Sequence, residues 1–307
     1  MDGSPAPGLD SALEMGCTKV GRKRGGGLIE AQISSRGASQ LATPKSWWDD
    51  HFTRLLLAMI PGDCRQLLDY GCGQANAAYS LLPALPNAHY IGLETDPELL
   101  RQAERQVANT RYSSRVSLRV TDGHELPIPN GLSDVFLSVL RLQHCRDIKA
   151  MLGKEIPRVL RPGGRFVAIE PDNLGQRFYF DGVLEQLDQR FHAFCLRARV
   201  LRQPADIALG PRLPQLLKRY GFRDIGVEMQ LVGSTRYETA KRFCDRVLRI
   251  TVQAAELAGI YDQAEEYQAV LSEVRRFQFT GLPKRLGYSA HLVPAFCVTA
   301  TWAGHQP

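Results

Sequence analysis

Three short segments carry residues that could hold a ligand. The first is Asp69-Tyr70-Gly71-Cys72-Gly73-Gln74-Ala75. An apolar run ends there in a glycine-rich turn, and a helix pattern follows. Gly71 permits a sharp turn, and Gly73 removes a Cβ so that a ligand can approach the backbone. The N-terminus of the next helix offers N–H groups and partial positive charge to a carboxylate or phosphate. Taken alone, the segment is equally a plain strand–turn–helix. A dinucleotide loop requires G-x-G-x-x-G, and its third glycine is Asn76 here, which counts against NAD or FAD. The second segment ends in Glu94, an acid placed to accept from two ribose hydroxyls. Such charge-assisted bonds contribute about 1.5–3 kcal/mol each. Asp96 is better read as the cap of the following helix, with Pro97 at its first turn. The third segment holds Asp122-Gly123, which either accepts from an adenine amine or is simply a turn. Acids and glycines closing three consecutive strands together describe an adenosine site.

The elements that place them alternate. Strands are expected at Gln66–Asp69, Ala88–Leu93, Val116–Val120, Asp134–Ser138 and Phe166–Ile169, with helices at 75–82, 97–108 and 148–160 between them. Apolar runs such as Val135-Phe136-Leu137 suit strands buried on both faces. Alternation of this kind implies a parallel sheet covered by helices on both sides. A helix over 44–60, with Trp47, Trp48, Phe52, Leu55, Leu56 and Met59 at helical spacing, precedes the sheet. Residues 1–43, rich in Gly, Ser, Pro and Ala, are expected to form a flexible arm, and 44–307 the main domain. The alternation breaks after Glu170. Two largely helical cap insertions are expected, about 173–209 and 237–280, with a helix at 213–220 and a strand near 225–231 between them. The last strand is expected at 295–302.

The chain has 307 residues and a formal net charge of +6. A mild basic balance permits anionic partners without choosing among them. The densest basic run is only Arg22-Lys23-Arg24, so nucleic acid is not among the expected partners. The seven cysteines are scattered, with no Cys-x-x-Cys pair. That argues against a disulfide framework and a zinc site, and for a cytoplasmic home. No apolar run approaches the ~20 residues of a membrane span, and no signal peptide is expected.

The segments LLDYGCGQANA, YIGLETDPELL, VTDGHELPIP, SDVFLSVLRLQH and EIPRVLRPGGRFVAIEPD, running from Leu67 to Asp172, resemble the class I S-adenosylmethionine (SAM)-dependent methyltransferases. More narrowly, they resemble the ubiquinone/menaquinone-biosynthesis type. The likeness continues weakly through GPRLPQLLKRYGF. It implies a Rossmann-like, seven-stranded, mostly parallel sheet whose last strand is antiparallel. It also implies SAM as cofactor and S-adenosylhomocysteine as product. By the same resemblance Asp69, Gly71 and Gly73, with Cys72 between them, hold the methionine part. Glu94 and the adjoining Thr95 hold the ribose, and Asp122 and Gly123 the adenine. Ser138 and Val139 end the fourth strand beside the transferring methyl. Gln143-His144 falls where related enzymes often have His-His. Ala75 replaces the commonest third glycine, a mild departure, since alanine opens a helix well.

The expected reaction is in-line transfer of a methyl group to an O, N or C atom of a small molecule. His144 is the first candidate base, or else packs against or caps the next helix. Glu170 and Asp172 are second candidates, as base or as ligands of a substrate hydroxyl or amine. Substrate choice is expected in the insertions, where Phe178, Tyr179 and Phe180 either line a pocket or pack the cap. Trp48, with Trp47, either forms a lid or joins the core. Arg242, Arg246 and Arg249, at helical spacing, are read as a solvated face. The alternatives are an RNA or protein methyltransferase, or a SAM-binding protein without turnover. Asn/Asp-Pro-Pro-Tyr/Phe, common after the fourth strand in base-methylating enzymes, is replaced here by Ser138-Val139-Leu140-Arg141. A homodimer stays open.

Overall fold

A computed structural model describes residues 48, 50–180, 185–202, 206, 208–246, 248, 265–279 and 286–304. The arm expected at 1–43, Trp47 and Arg249 lie outside these residues.

The helix α1 (Asp50–Met59) leads into β1 (Gln66–Tyr70). Then come α2 (Asn76–Leu81), β2 (His89–Glu94), α3 (Pro97–Ala108), β3 (Val116–Val120) and β4 (Ser133–Val139). The helix α4 is composite: Ile148–Ala150, a π turn Met151–Glu155, and Ile156–Val159. After it run β5 (Leu160–Pro171), β6 (Arg177–Phe180), α5 (Glu185–Arg202) and α6 (Leu209–Arg219). The described chain ends with β7 (Phe222–Thr239), α7 (Glu265–Phe279) and β8 (Leu286–Trp302).

The sheet follows the order β3-β2-β1-β4-β5-β8, with β7 on the far side of β8. Pairings among β1 to β5 are parallel, and β8 is antiparallel to β5, β6 and β7. The fold is therefore the Rossmann-like one expected, with one strand more than seven. The added β6 falls inside the first expected insertion. It takes over the edge of β8 that β5 leaves. Pro171 pairs with Ala295, and Arg177 with Leu292. Between these pairs the chain loops out at 172–176. Pro294, which has no N–H to give a ladder, sits at this handover, and its carbonyl accepts from Asp172 N at 2.8 Å. The strands β7 and β8 also run longer than expected, pairing from Phe222↔Trp302 to Thr239↔Leu286. Part of the second insertion is thus a hairpin arm, followed by a helical segment at 240–246.

Side-chain alternation divides the core in two. On one face Leu67, Tyr90, Leu137, Val167 and Cys297 pack with α1, α2 and α3. On the other, Leu68, Ile91, Phe136, Phe166 and Ala300 pack with α4 and α6. This second face carries a row of rings. Tyr70, Phe136 and Phe166 stack at 6.0 and 5.8 Å between centroids. The row continues through Phe222 at 5.7 Å to Trp302 at 5.2 Å. It joins β1, β4 and β5 to the far edge. Asp134 fixes the start of the same strands: its Oδ2 accepts from Arg65 N and Gln66 N at 2.8 and 2.7 Å, and Oδ1 from Arg161 Nε at 2.5 Å.

Phe136 is fully buried between two rings. Phe136→Ala is expected to destabilise the protein by about 3–5 kcal/mol, read as a lower midpoint in urea unfolding.

Candidate active site

The carboxyl ends of β1, β2 and β4 meet at the glycine-rich loop. Glu94, the last residue of β2, is only 4% exposed. Its Oε2 accepts from Gly73 N at 2.9 Å. Oε1 accepts from Thr95 N at 2.7 Å, Thr95 Oγ1 at 3.2 Å and Asp96 N at 3.1 Å. A buried carboxylate is costly without such donors. The amides of Gly71 and Cys72 both donate to Leu93 O, at 2.8 and 3.0 Å. The turn amides of Gly71 and Cys72 are therefore spent on β2. Open space lies instead over Gly73 (φ +55°), where a Cβ would meet nothing within 4 Å.

Asp69 is also 4% exposed and accepts from Tyr90 Oη at 2.5 Å. Burial pushes its pKa up to about 7, against the lowering effect of that bond, and nearby Glu94 pushes the same way. Ala75 caps α2 in the left-handed region, at φ +57°. Alanine there costs roughly 1–2 kcal/mol, so the departure from glycine is less mild than its helix propensity suggested. Cys72 turns inward: a Cβ on Gly92 would lie 2.8 Å from its Sγ. That side chain packs against β2.

Asp122, at the end of β3, spends Oδ1 on His124 N and Glu125 N, at 2.8 and 3.1 Å. These backbone donors hold its pKa below the usual carboxylate value. Gly123 (φ +80°) accepts at its carbonyl from Tyr70 Oη at 3.1 Å, which ties the third loop to β1. At the end of β4, Ser138 is buried and its Oγ has no hydrogen-bond partner among the described residues. Val139 is buried beside it.

His144 marked the loop after β4 in the sequence, but the roles of Leu140 and Arg141 in it were not legible. Leu140 is left-handed (φ +58°), held by its N–H to Ile169 O at 2.8 Å. Arg141 then lies across Gly71: a Cβ there would sit 2.3 Å from Arg141 Cγ. Its Nη2 donates to Thr95 Oγ1 at 2.7 Å. Gly71 is thus required by a side chain as much as by its own φ of +80°. Glu170, fully buried at the end of β5, accepts from Leu142 N and Gln143 N at 2.7 and 3.2 Å. Burial pushes its pKa up to about 8, against those backbone donors. Its oxygens hold the loop that carries His144. His144 itself is half-buried in the short 3-10 turn Leu142–His144. Asp172 Oδ1 accepts from Leu174 N at 2.9 Å.

The expected cap residues are dispersed. Trp48 packs edge-on to Phe52 at 5.1 Å, in the core cluster of α1. Phe178 and Phe180 lie on β6, paired with His291 and Ser289, and Tyr179 between them is 47% exposed. Arg246 is not on a solvated face. Its Nη2 donates to buried Glu238 at 2.5 Å, and its guanidinium lies 5.1 Å from the Phe243 ring. Arg242 is exposed, as expected. An apolar cleft of about 180 Å³ opens between α1 and the β7–β8 arm, lined by Phe52, Leu55, Ile169, Val232 and Ala295. No cluster of metal-ligating residues occurs among the described residues.

This geometry coincides with a family match over residues 68–168, from β1 through most of β5. Those residues are a methyltransferase domain. A demethylmenaquinone methyltransferase of Symbiobacterium thermophilum is 31% identical over 121 residues, 38% of this chain and 46% of that protein. An uncharacterized 37.1 kDa protein in transposon TN4556 of Streptomyces fradiae is 37% identical over 113 residues, 36% of this chain and 31% of that protein. The chain thus spans less than half the length of these relatives. Among solved structures, phosphoethanolamine N-methyltransferase 2 of Haemonchus contortus, in complex with phosphomonomethylethanolamine and S-adenosylhomocysteine, shares the fold. Its TM-score is 0.50 at 17% identity, covering 90% of this chain and 59% of that one. The methyltransferase domain therefore contains every loop described above except the 172–176 loop.

Both Asp69 and Glu170 have pKa values above their unfolded ones, so the native state binds more protons between about pH 4 and 8. Their contribution to stability is complete at low pH and is lost as pH rises through 7 and 8. The melting temperature is expected to fall from pH 5 to pH 8. Asp69→Asn keeps an acceptor for Tyr90 and should remove part of that slope. An unchanged slope in differential scanning calorimetry would contradict this assignment.

Proposed function

We propose that the protein transfers a methyl group from SAM to a small molecule, and that 44–307 works as one catalytic unit behind the arm at 1–43. The observation that carries this reading is the Glu94–Gly73 bond with open space over Gly73. A buried acid and a close-approach glycine are fixed against each other where an adenosine and its amino-acid tail would lie. The orphaned Ser138 Oγ at the end of β4 fits the same role, because buried hydroxyls normally have partners. Asp69, Gly71, Cys72 and Gly73 would border the methionine part, Cys72 through its backbone. Glu94 and Thr95 would take the ribose, Asp122 and Gly123 the adenine, and Ser138 and Val139 the methyl side.

When bound, SAM supplies a methyl already activated on a sulfonium. The chain's task is then to hold the acceptor in line and exclude water, which can supply about 7–11 kcal/mol. His144 is the group we assign to proton removal where the acceptor carries a proton. Glu170 acts through the loop it holds, and Asp172 through the acceptor side. The cap segments about 173–209 and 237–280, with Trp48, Phe178, Tyr179 and Phe180, would shape the acceptor site.

Likeness to a demethylmenaquinone methyltransferase supports an organic small molecule over RNA or protein. So does the lack of a long basic run. The six cysteines among the described residues form no disulfide, which supports a cytoplasmic home. No helix among the described residues is long and apolar enough to cross a membrane.

Calorimetry is expected to show binding of SAM and S-adenosylhomocysteine, and none of NAD. Glu94→Ala should weaken SAM binding by about 10-fold or more, since charge-assisted bonds contribute roughly 1.5–3 kcal/mol. No heat with millimolar SAM would refute the proposal. His144→Ala should leave SAM affinity intact and slow transfer by about 10²–10⁴-fold, the usual contribution of a general base. Unchanged turnover would remove His144 from that role.

A further inference from the structure

We propose that Gln176 and His192 form a recognition site for a hydroxyl group of the methyl acceptor, a neutral hydroxyl-bearing molecule. This rests on the methyltransferase reading above.

Polar side chains connect the β4 loop to the cap. Gln143 Nε2 donates to Leu140 O at 3.3 Å, and Gln143 Oε1 accepts from Asn173 Nδ2 at 2.9 Å. Asn173 belongs to the 172–176 loop that swings out between β5 and β6. The next residue, Leu174, offers its carbonyl to His192 Nε2 on α5 at 2.9 Å. The loop ends in Gln176, whose Oε1 faces His291 Nε2 on β8 at 3.3 Å. The track therefore runs from the end of β4, where the methyl side lies, to the junction of α5, β6 and β8.

Among the described residues, two atoms at its far end have no partner: Gln176 Nε2 and His192 Nδ1. Their residues are 3% and 8% exposed. Leaving a buried amide donor or ring nitrogen unpaired carries a desolvation penalty, and native proteins seldom leave such groups unpaired. Gln176 lies in the 172–176 loop and His192 on α5 is bonded to Leu174 O of the same loop, and two such atoms beside one loop point to a group that binds there.

Its chemistry follows from the atoms. His192 Nε2 faces a carbonyl and so carries the proton, which leaves Nδ1 as an acceptor in the neutral ring. Gln176 Nε2 is a donor. A hydroxyl satisfies both, accepting from Gln176 and donating to His192. A cation would leave the amide donor unpaired. An anion would leave the Nδ1 acceptor unpaired. Arg177, the cation next in sequence, is exposed.

Phenol, anisole and toluene, titrated into the protein loaded with S-adenosylhomocysteine, test this. Phenol can donate and accept, anisole only accept, and toluene neither. Phenol is expected to bind about tenfold or more tightly than the other two. Gln176→Met and His192→Phe should each abolish that preference, and His192→Gln, which retains an acceptor, should restore part of it. Unchanged S-adenosylhomocysteine affinity in each variant serves as the control for folding. Equal affinities for the three probes, no phenol binding, or a preference that survives Gln176→Met and His192→Phe would overturn the inference while leaving the methyltransferase reading intact. If wild type fails to bind S-adenosylhomocysteine, that reading is what falls.

Discussion

One carboxylate organises the cofactor end of this molecule. Glu94 leaves water at the end of β2 and is stabilised by four donors, drawn from the loop after β1 and from its own following turn. The arrangement couples two strands that are also joined by their backbone ladder and by the Tyr90–Asp69 hydrogen bond. It sets where Gly73 lies, and therefore where the backbone is open. Thr95, positioned by the other oxygen of the same carboxylate, is in turn the acceptor for Arg141. A change at Glu94 would therefore reach the β4 loop without any direct contact.

Glu170 plays the corresponding part on the other side. Leu140 adopts a conformation that costs of order 1–3 kcal/mol for such a residue. It persists because Ile169 O holds its N–H and Glu170 holds the two amides beyond Arg141. The Arg141 side chain turns back over Gly71, while Gln143 reaches Asn173 at the 172–176 loop. Both acids thus act mainly by fixing backbone. That suits a reaction in which the protein's contribution is placement.

What could be read from the sequence was what is local. The Gly71–Gly73 turn, Glu94 and Asp122 announce themselves because each closes an apolar strand within a few residues. That the sheet is parallel and covered by helices followed from the alternation of strands and helices. The Arg141–Gly71 contact could not be read, because it joins positions far apart in sequence and depends on a single left-handed residue. The ring row from Tyr70 to Trp302 needs strand register before any partner can be named. β6 was hidden in an aromatic run that carries no turn signal of its own. The outer halves of β7 and β8, with Gly233, Ser234 and Thr235 in one and Pro294 in the other, do not resemble a buried strand. Arg246 looked like one of three surface cations until Glu238 and Phe243 were placed beside it.

The position of β8 bears on how such a chain can be assembled. Among the described residues it is the last of eight strands in sequence, yet it lies inside the sheet, with β5 and β6 along one edge and β7 along the other. Until it arrives, β5 and β7 are both open edges, and the far end of the ring row lacks Trp302. Order in the cap must wait too, because His291 and the seat for the 172–176 loop come with the same strand. A growing chain can therefore form the nucleotide half early and stay an unfinished sheet until its final strand threads between partners made long before.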